Sequence, residues 1–262
     1  MGTPPTHTFA MTRRILLFLC PLVMLLFACQ PTPSPANPLE NPAAPGFLLA
    51  ESDSTAIRLA DTLMHTMGGR ANWDSTRFLT WNFFNVRRHY WDRQTGRIRI
   101  ESLRDSTTYL INVHDSSGVV YEGQQLLEVP VMDRRIQDGI SIWINDSYWL
   151  VMPYKLKDSG VRLRYLGRDT LDSRPAERLE LTFDGVGDTP ENKYHVWIDR
   201  KSGLVNQWAY FREADNEKPL FISPWHNYAQ YGRIMLSGDR GKNSLSEIGA
   251  PGSLPDSLFS QL

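Results

Sequence analysis

From Phe78 onward the chain consists largely of short segments in which apolar and polar residues alternate, and this pattern restricts the fold to one built mainly from β-strands. Leu79, Trp81 and Phe83 alternate with polar neighbours. Because successive side chains of a strand point to opposite faces of a sheet, such alternation gives the strand one apolar face. The adjacent pair Phe83-Phe84 breaks the phase and predicts a bulge. Further segments of the same kind lie at residues 98–100, 109–113, 161–165, 179–183, 194–198 and 204–211.

Two segments have helical periodicity instead. Residues 56–67 place apolar side chains three and four positions apart, polar capping residues precede them at 52–54, and the glycines at 68–69 follow them. This order predicts a helix that ends at the glycine pair. Residues 128–150 repeat the same spacing and predict one or two helices, with Pro130 in the first turn.

Many strands joined by short turns, together with two helical segments, predict an α+β domain. We expect a strongly curved antiparallel sheet, an unclosed half-barrel, with the helices covering its concave face. The alternative is a closed β-sandwich with peripheral helices. Inward-facing residues of the curved sheet either fill a core or line a ligand cavity, and the candidates are Leu79, Trp81, Tyr109, Ile111, Leu181, Phe183, Val196, Trp208 and Tyr210.

The N-terminus has the order of an export signal. Arg13 and Arg14 precede an apolar run at residues 15–27. A run of this length is typical of a secretory signal, whereas a membrane-spanning helix needs roughly 20 apolar residues. Residues 26–29, Leu-Phe-Ala-Cys, resemble a lipobox, at which a bacterial signal peptidase cuts before a cysteine whose sulfur is acylated.

The lipobox resemblance implies a location for the protein. The mature chain would begin at Cys29 and be held by acyl chains on a membrane of the cell envelope. Gln30 follows the cysteine, and the absence of an aspartate there favours the outer membrane, without fixing the leaflet. The alternative interpretation is a short uncleaved N-terminal anchor.

Cysteine content and charge exclude several classes of protein. Cys20 and Cys29 are the two cysteines of the chain, so cleavage and acylation would leave no thiol and no disulfide, and stability must come from the core. The chain carries 28 Lys and Arg against 29 Asp and Glu, a net charge of −1. Since no basic run stands out, we expect no nucleic-acid partner.

The composition divides the chain into four parts. Residues 30–46 contain six prolines, which is typical of an extended tether and not of a packed core. Residues after Gly238 are rich in Ser, Gly and Pro and predict a loose tail. The expected organisation is a signal peptide at 1–28, a tether from acylated Cys29 to residue 48, a single domain at 49–238 and a loose tail at 239–262.

Several motifs resemble those of known bacterial proteins. A family of uncharacterised bacterial lipoproteins is similar over residues 57–236, chiefly at 148–158, 181–183, 185–187, 189–190 and 194–199. The order of helix, strands, helical insert and strands, ending in residues 228–236, distantly resembles the lipoprotein-localisation barrels of the LolA and LolB types. That resemblance implies an unclosed β-barrel whose helices cover an apolar cavity, and a role in binding acyl chains or other hydrophobic ligands. No residue role is transferred from that superfamily.

The sequence contains no catalytic signature. It lacks G-x-S-x-G, S-x-x-K and a glycine-rich phosphate loop, and its histidines are not spaced as metal ligands. The acidic loop at residues 184–191 has carboxylates suited to Ca²⁺, but a solvated hairpin loop uses the same residue types. We therefore predict no enzyme activity, no metal and no cofactor.

Three functional hypotheses remain open. The first is a lipoprotein that binds a lipid or other hydrophobic ligand between sheet and helices. The second is a structural or interaction lipoprotein whose barrel is filled by its own side chains and which docks a protein partner. The third is a hydrolase that uses Asp184, Asp188 and His195. An apolar cavity of about 300 Å³ or more favours the first hypothesis.

The anchoring prediction is tested by Cys29→Ser. This substitution removes the sulfur that would carry the acyl chains, each of whose buried methylenes contributes about 0.8 kcal/mol to membrane binding. We expect the protein to move from the membrane fraction to the soluble fraction of fractionated cells. A variant that stays with the membrane after a carbonate wash would show that the signal is an uncleaved anchor.

Overall fold

The computed structural model describes residues 1–3 and 40–262. The chain divides into two compact units, Met1–Ala36 and Asn37–Leu262, and the fold below is that of the second. Cys29, nearly all of the predicted signal peptide and most of the predicted tether lie outside the described residues, so those predictions stay predictions.

Three α-helices occur in the described part of the chain: α1 at Ser54–Thr66, α2 at Arg70–Ser75 and α3 at Val131–Val151. The 56–67 prediction is confirmed as α1. Gly68 follows it with φ +115°, and a Cβ there would lie 2.3 Å from the carbonyl oxygen of Arg233, so both conformation and space require glycine. The 128–150 segment is the single helix α3, which begins at Val131, so Pro130 caps the helix and does not lie in its first turn. Trp73 lies in α2.

The described strands account for most of the domain. Fourteen of them follow in chain order: β1 Phe78–Phe83, β2 Arg87–Asp92, β3 Arg97–Ser102, β4 Thr107–Asn112, β5 Ser117–Glu122, β6 Gln125–Leu126, β7 Val161–Leu171, β8 Arg174–Phe183, β9 Lys193–Asp199, β10 Val205–Phe211, β11 Phe221–Pro224, β12 His226–Tyr231, β13 Ile234–Arg240 and β14 Asn243–Gly249. Short 3₁₀ turns lie at Leu49–Glu51, Met152–Tyr154 and Asp256–Phe259.

The strands form two antiparallel sheets that meet in one stretch of chain. The nine-stranded sheet has the order β12-β13-β14-β1-β2-β3-β4-β5-β6, and the five-stranded sheet has the order β11-β10-β9-β8-β7. Strands β11 and β12 are separated only by Trp225, whose N–H donates to the Asn206 carbonyl at 3.0 Å. Neither sheet closes on itself. The α+β class with unclosed antiparallel sheets is therefore confirmed. The strands form two sheets, however, and not the single curved sheet that was expected, and the two are divided at Trp225.

The bulge expected at Phe83-Phe84 is not there. β1 ends at Phe83, and Phe84 and Asn85 turn the chain into β2 with φ of 51° and 55°. The two phenylalanine rings stack at 4.0 Å, so the adjacent apolar residues belong to a hairpin turn. The register shift of β1 lies instead between Thr80 and Asn82, where it pairs with β14.

The prediction of a loose tail at 239–262 is wrong for most of its length. β14 pairs with both β13 and β1, and its Leu245 is buried in the main core. Farther along, Phe259 stacks on Phe78, and the Arg99 guanidinium donates to the carbonyls of Leu258 and Gln261. Most positions of β14 are exposed or half-buried although the strand is paired on both edges, so composition alone gave the wrong answer.

The folded unit also begins before residue 49. The Lys157 ammonium donates to the backbone carbonyl of Asn41 and binds the Asp61 carboxylate of α1. Phe47 is buried in the main core. Residues 41–48, expected to belong to the tether, are therefore packed against the domain.

The described residues form three buried apolar clusters, of which two lie beneath the helices and a third, around Trp197 and Phe211, lies on the five-stranded sheet. The larger of the first two lies between α1, the C-terminal end of α3 and strands of both sheets. The smaller of these two lies where the N-terminal half of α3 packs on β3, β4 and β5. Gly139 permits this approach, because a Cβ there would lie 2.5 Å from Ile111 Cδ1 and 2.7 Å from Tyr109 Cδ1.

A buried carboxylate fixes α3 to the nine-stranded sheet. Asp146 is fully buried and accepts hydrogen bonds from Arg87 Nε at 2.6 Å and Nη2 at 2.9 Å. His89 Nε2 lies 2.8 Å from Asp146 Oδ2, and the imidazole stacks on Trp81 at 4.4 Å. A buried carboxylate needs such partners, because leaving it unpaired costs several kcal/mol, on the order of 3–5.

Asp146→Ala should lower the free energy of unfolding by about 3–5 kcal/mol, because it leaves the partly buried Arg87 guanidinium and the buried His89 ring without their carboxylate. Chemical denaturation of the purified Cys29→Ser protein, with and without Asp146→Ala, measures this loss. The matched control is Asp138→Ala on the same helix, whose exposed carboxylate lies 3.9 Å from Arg135 and whose loss should cost less than about 0.5 kcal/mol. Equal losses in the two variants would contradict the assignment of Asp146 as the anchor of α3.

Candidate functional site

A cleft of about 680 Å³ lies between the C-terminal half of α3 and the five-stranded sheet. The loop that joins β8 to β9 borders it through residues 186–189, and Trp91 of β2 reaches it from the other sheet. Most of its wall is aromatic: α3 contributes Trp143, Tyr148 and Trp149, and the sheet contributes Phe183, Tyr194, Trp208, Tyr210 and Phe221.

Strand alternation explains why these side chains meet. Along β10, Trp208 and Tyr210 face the cleft, whereas Ala209 and Phe211 belong to the separate small cluster that contains Trp197 of β9. In β9, Tyr194 faces the cleft and the adjacent His195 does not line it. The period of two therefore directs one face of each strand toward α3.

The aromatic rings form a continuous packed wall around Trp208. Its ring lies 4.7 Å from Trp149 and 5.1 Å from Tyr194 between centroids. Phe221 stacks on Trp149 at 5.6 Å and on Tyr210 at 5.0 Å. Because offset and edge-to-face contacts of this kind are favourable, the wall is a preformed apolar surface.

Tyrosine hydroxyls along the cleft remain uncharged. Burial raises the pKa of Tyr148 well above its ordinary value of 10.0. Burial likewise raises the pKa of Tyr194, and the nearby Tyr210 adds to the effect. Both hydroxyls are therefore neutral hydrogen-bonding groups at any physiological pH.

Three of the nine predicted inward residues line the cleft: Phe183, Trp208 and Tyr210. The remaining six are buried in the core. Leu79, Trp81, Leu181 and Val196 belong to the main cluster, and Tyr109 and Ile111 belong to the cluster beneath the first half of α3. Alternation identified which side of a strand faces inward, but α3 decides where along the sheet the interior is filled.

Sequence reasoning missed the contribution of α3 and of two strands. Trp143, Tyr148 and Trp149 come from the helix, and Tyr194 and Phe221 come from β9 and β11. The aromatic pair at 148–149 was visible as a motif. Its meaning depends on which strands lie opposite the helix, and periodicity does not carry that information.

The structure does not assemble the catalytic residues of the hydrolase hypothesis. Asp188 borders the cleft, and Asp184 and His195 are not among its lining residues. The His195 ring packs against Phe211 at 4.5 Å, and its Nε2 lies 3.3 Å from Glu180. In the described part of the chain, no group of three or more His, Cys, Asp and Glu side chains is placed to hold a metal ion.

A membrane-spanning helix is likewise not found in the part of the chain that the structure describes, where none is both long enough and apolar enough.

Comparison with known proteins gives likeness of fold only. No family model matches the chain, and no curated protein matches it significantly. A DUF1329 family protein from Desulfovibrio piger is similar at 12% identity and TM-score 0.44, over 78% of this chain and 96% of that one. A LolA superfamily protein from Nitrosomonas europaea is similar at 11% identity and TM-score 0.40, over 79% and 97%.

A third similar structure is a putative outer membrane lipoprotein-sorting protein domain from Vibrio parahaemolyticus, at 14% identity and TM-score 0.37, over 70% of this chain and 87% of that one. At such identities and TM-scores these likenesses carry no argument about chemistry, which is drawn from the cleft alone.

The pair that anchors α3 makes stability depend on pH. Burial lowers the pKa of His89 below 6.5 against the opposing effect of Asp146. Burial alone would raise the pKa of Asp146, but hydrogen bonds from His89 and Arg87 outweigh it and lower that pKa below 3.8. In both cases the unfolded chain binds a proton at a higher pH than the folded chain does.

The free energy of unfolding should therefore fall as pH drops below about 6.5, and fall further below about 4, since protons favour the unfolded state in both ranges. Thermal or urea unfolding across this range measures the slope. His89→Gln should reduce the slope near pH 6, whereas His114→Gln, at an exposed histidine in a turn, should leave it unchanged. Stability that stays constant between about pH 7 and 4 would contradict the prediction.

Proposed function

We propose that this protein is a non-enzymatic lipoprotein of the cell envelope that binds a lipid or other hydrophobic ligand between α3 and the five-stranded sheet. The observation that carries the proposal is the cleft of about 680 Å³ with its aromatic wall. Ligand sites are typically concave, mostly apolar and larger than about 300 Å³. The cleft meets this criterion, and its wall is already packed before any ligand binds.

The anchoring part of the proposal rests on the sequence. The Arg13-Arg14 pair, the apolar run at 15–27 and the lipobox-like residues ending in Cys29 support export and acylation. An acylated protein with its own lipid cleft would be held next to a source of hydrophobic ligands. We propose that the protein is located at the outer membrane, because Gln30 and not an aspartate follows Cys29.

The lining of the cleft supports binding without catalysis. No histidine or cysteine occurs among its lining residues within the described chain, and the hydroxyls of Ser147, Ser159 and Thr189 have no basic partner of the kind that activates a nucleophile. A site of this composition can hold an apolar molecule and orient its polar end. Among the described lining residues no pair of nucleophile and histidine base occurs, which supports a site that binds without acyl transfer.

A second candidate function is favoured by the rest of the interior. Leu79, Trp81, Leu181 and Val196 are fully buried, so most of the half-barrel is filled by its own side chains, as a structural or interaction lipoprotein requires. The two candidates differ in what the remaining cleft does. In a structural lipoprotein, the cleft would bind no ligand.

Two neighbouring residues on β11 provide the test of binding. Phe221 lines the cleft, whereas the next residue, Ile222, is 55% exposed and does not line it. Phe221→Asp places a carboxylate against an apolar wall and should weaken uptake of the neutral dye N-phenyl-1-naphthylamine about tenfold or more. Ile222→Asp adds the same charge outside the cleft and should leave uptake unchanged.

The measurement is dye fluorescence on the soluble Cys29→Ser protein purified without detergent, together with native mass spectrometry for a co-purified adduct of lipid mass. Circular dichroism establishes that both variants fold. Wild-type protein without an adduct that also fails to take up the dye would overturn the proposed function and leave the structural candidate.

A further inference from the structure

The backbone carbonyl of Trp149, near the C-terminal end of α3, lacks the partner that a helix usually supplies. In an α-helix a carbonyl accepts from the N–H group four residues farther on. Here that residue is Pro153, which has no N–H. The Arg240 guanidinium of β13 takes its place, because Nη2 donates to the Trp149 carbonyl at 2.7 Å. A cation at the C-terminus of a helix also interacts favourably with the helix dipole, so Arg240 is a cap for α3 that comes from a distant strand.

The same guanidinium supports the sheet side of the cleft. It covers the Trp225 ring at 3.6 Å from the ring centroid, and Trp225 packs edge-on against Trp208 at 5.1 Å. Trp208 in turn contacts the ring of Trp149 at 4.7 Å. Arg240 itself is not among the described residues that line the cleft. One side chain behind the aromatic wall is therefore linked both to its helix side and to its sheet side.

The shape of the guanidinium suits this position. Arg240 is 4% exposed. Nη1 donates to Ser237 Oγ at 2.9 Å and to the Asp239 carbonyl at 2.7 Å, and Nη2 also donates to the Ser237 carbonyl at 2.9 Å. A planar group with donors along its edge and an open face can bind these acceptors and cover an indole at once, whereas a lysine ammonium is a single point charge. An apolar residue would avoid burying a charge, but it would leave the Trp149 carbonyl without this donor.

We infer that Arg240 is a positioning residue of the cleft, which holds the Trp149 and Trp208 rings at the spacing that an apolar ligand requires. This inference rests on the proposed function, since it assigns a further residue to the same site. Arg240 does not touch the ligand. It acts through its bond to the Trp149 carbonyl on one side and through the Trp225 ring on the other.

Arg93 provides a matched control, because it makes the same kind of contact at another helix. Its Nη1 donates to the carbonyls of Trp73 and Thr76 at the end of α2, and its guanidinium covers the Trp73 ring at 3.6 Å. Neither Arg93 nor Trp73 lines the cleft. The second ring near Arg93 is Trp91, at 5.6 Å, and Trp91 is also held by Trp143 of α3 at 5.1 Å.

The experiment compares Arg240→Lys with Arg93→Lys in the Cys29→Ser protein. Each substitution replaces a planar guanidinium by a single amino group, so each should lower the free energy of unfolding. Arg240→Lys should also weaken binding of N-phenyl-1-naphthylamine about tenfold, because the dye loses contact with well-placed rings. Arg93→Lys should change the dye affinity by less than about twofold. Equal effects of the two variants on dye affinity would overturn the inference and leave the proposed function intact.

A double-mutant cycle tests whether Arg240 acts through the wall. Trp149→Leu removes one ring of the wall and should itself weaken dye binding. Adding Arg240→Lys to Trp149→Leu should weaken binding further by only about threefold or less, since the ring that Arg240 holds is already gone. If the effects of Arg240→Lys and Trp149→Leu multiply as independent changes do, Arg240 does not act through Trp149 and the inference fails.

Circular dichroism and denaturation establish that each variant folds. If Arg240→Lys does not fold, Trp225→Phe is the milder change, because it keeps Arg240 and its bond to α3 but reduces the ring between Arg240 and Trp208. Trp225→Phe should weaken dye binding about threefold, and an unchanged affinity would count against the positioning role. Wild-type protein that does not bind the dye at all would instead overturn the proposed function, and the inference with it.

Discussion

The buried contact of Asp146 with Arg87 and His89 is the interaction on which the rest of the structure depends. α3 crosses both sheets, and this carboxylate fixes its position along β2. A buried ion pair adds little net stability over a well-packed apolar core, because desolvation offsets the attraction, but it specifies one arrangement. Here it specifies that one half of α3 covers β3–β5 and that the other half borders the cleft.

The second constraint is the bend at Trp225. The chain leaves β11 of one sheet and enters β12 of the other within a single residue, so the two sheets meet there without closing. Trp225 packs against Trp208 at 5.1 Å and beneath Arg240. Burial lowers the pKa of Arg240 to about 9, and its bonds to the Trp149 and Ser237 carbonyls tie the end of α3 to β13. The C-terminal half of α3, which borders the cleft, is thus held at Asp146 by β2 and at Trp149 by Arg240 of β13.

These two constraints explain why the interior is filled in one region and open in another. Beneath the first half of α3, helix and sheet approach closely enough that Gly139 is required. Beyond Asp146, the rings of Tyr148 and Trp149 contact those of Tyr194 and Trp208, and these residues line the cleft. The aromatic residues of the helix and the sheet therefore give the cleft an apolar wall.

The sequence by itself determined the class of element and the inward face of each strand. Alternation placed β1, β9 and β10, the glycine pair ended α1, and the candidates Phe183, Trp208 and Tyr210 do line the cleft. Prediction from the sequence failed where a pattern has two physical meanings. The pair Phe83-Phe84 was expected to form a bulge but marks a turn. The polar residues of β14 were expected to form a loose tail but belong to a strand with a solvent-facing side. Only the tertiary structure decided which part of the sheet lies opposite α3, because that depends on the contact of Asp146 with β2, fifty-seven residues away along the chain.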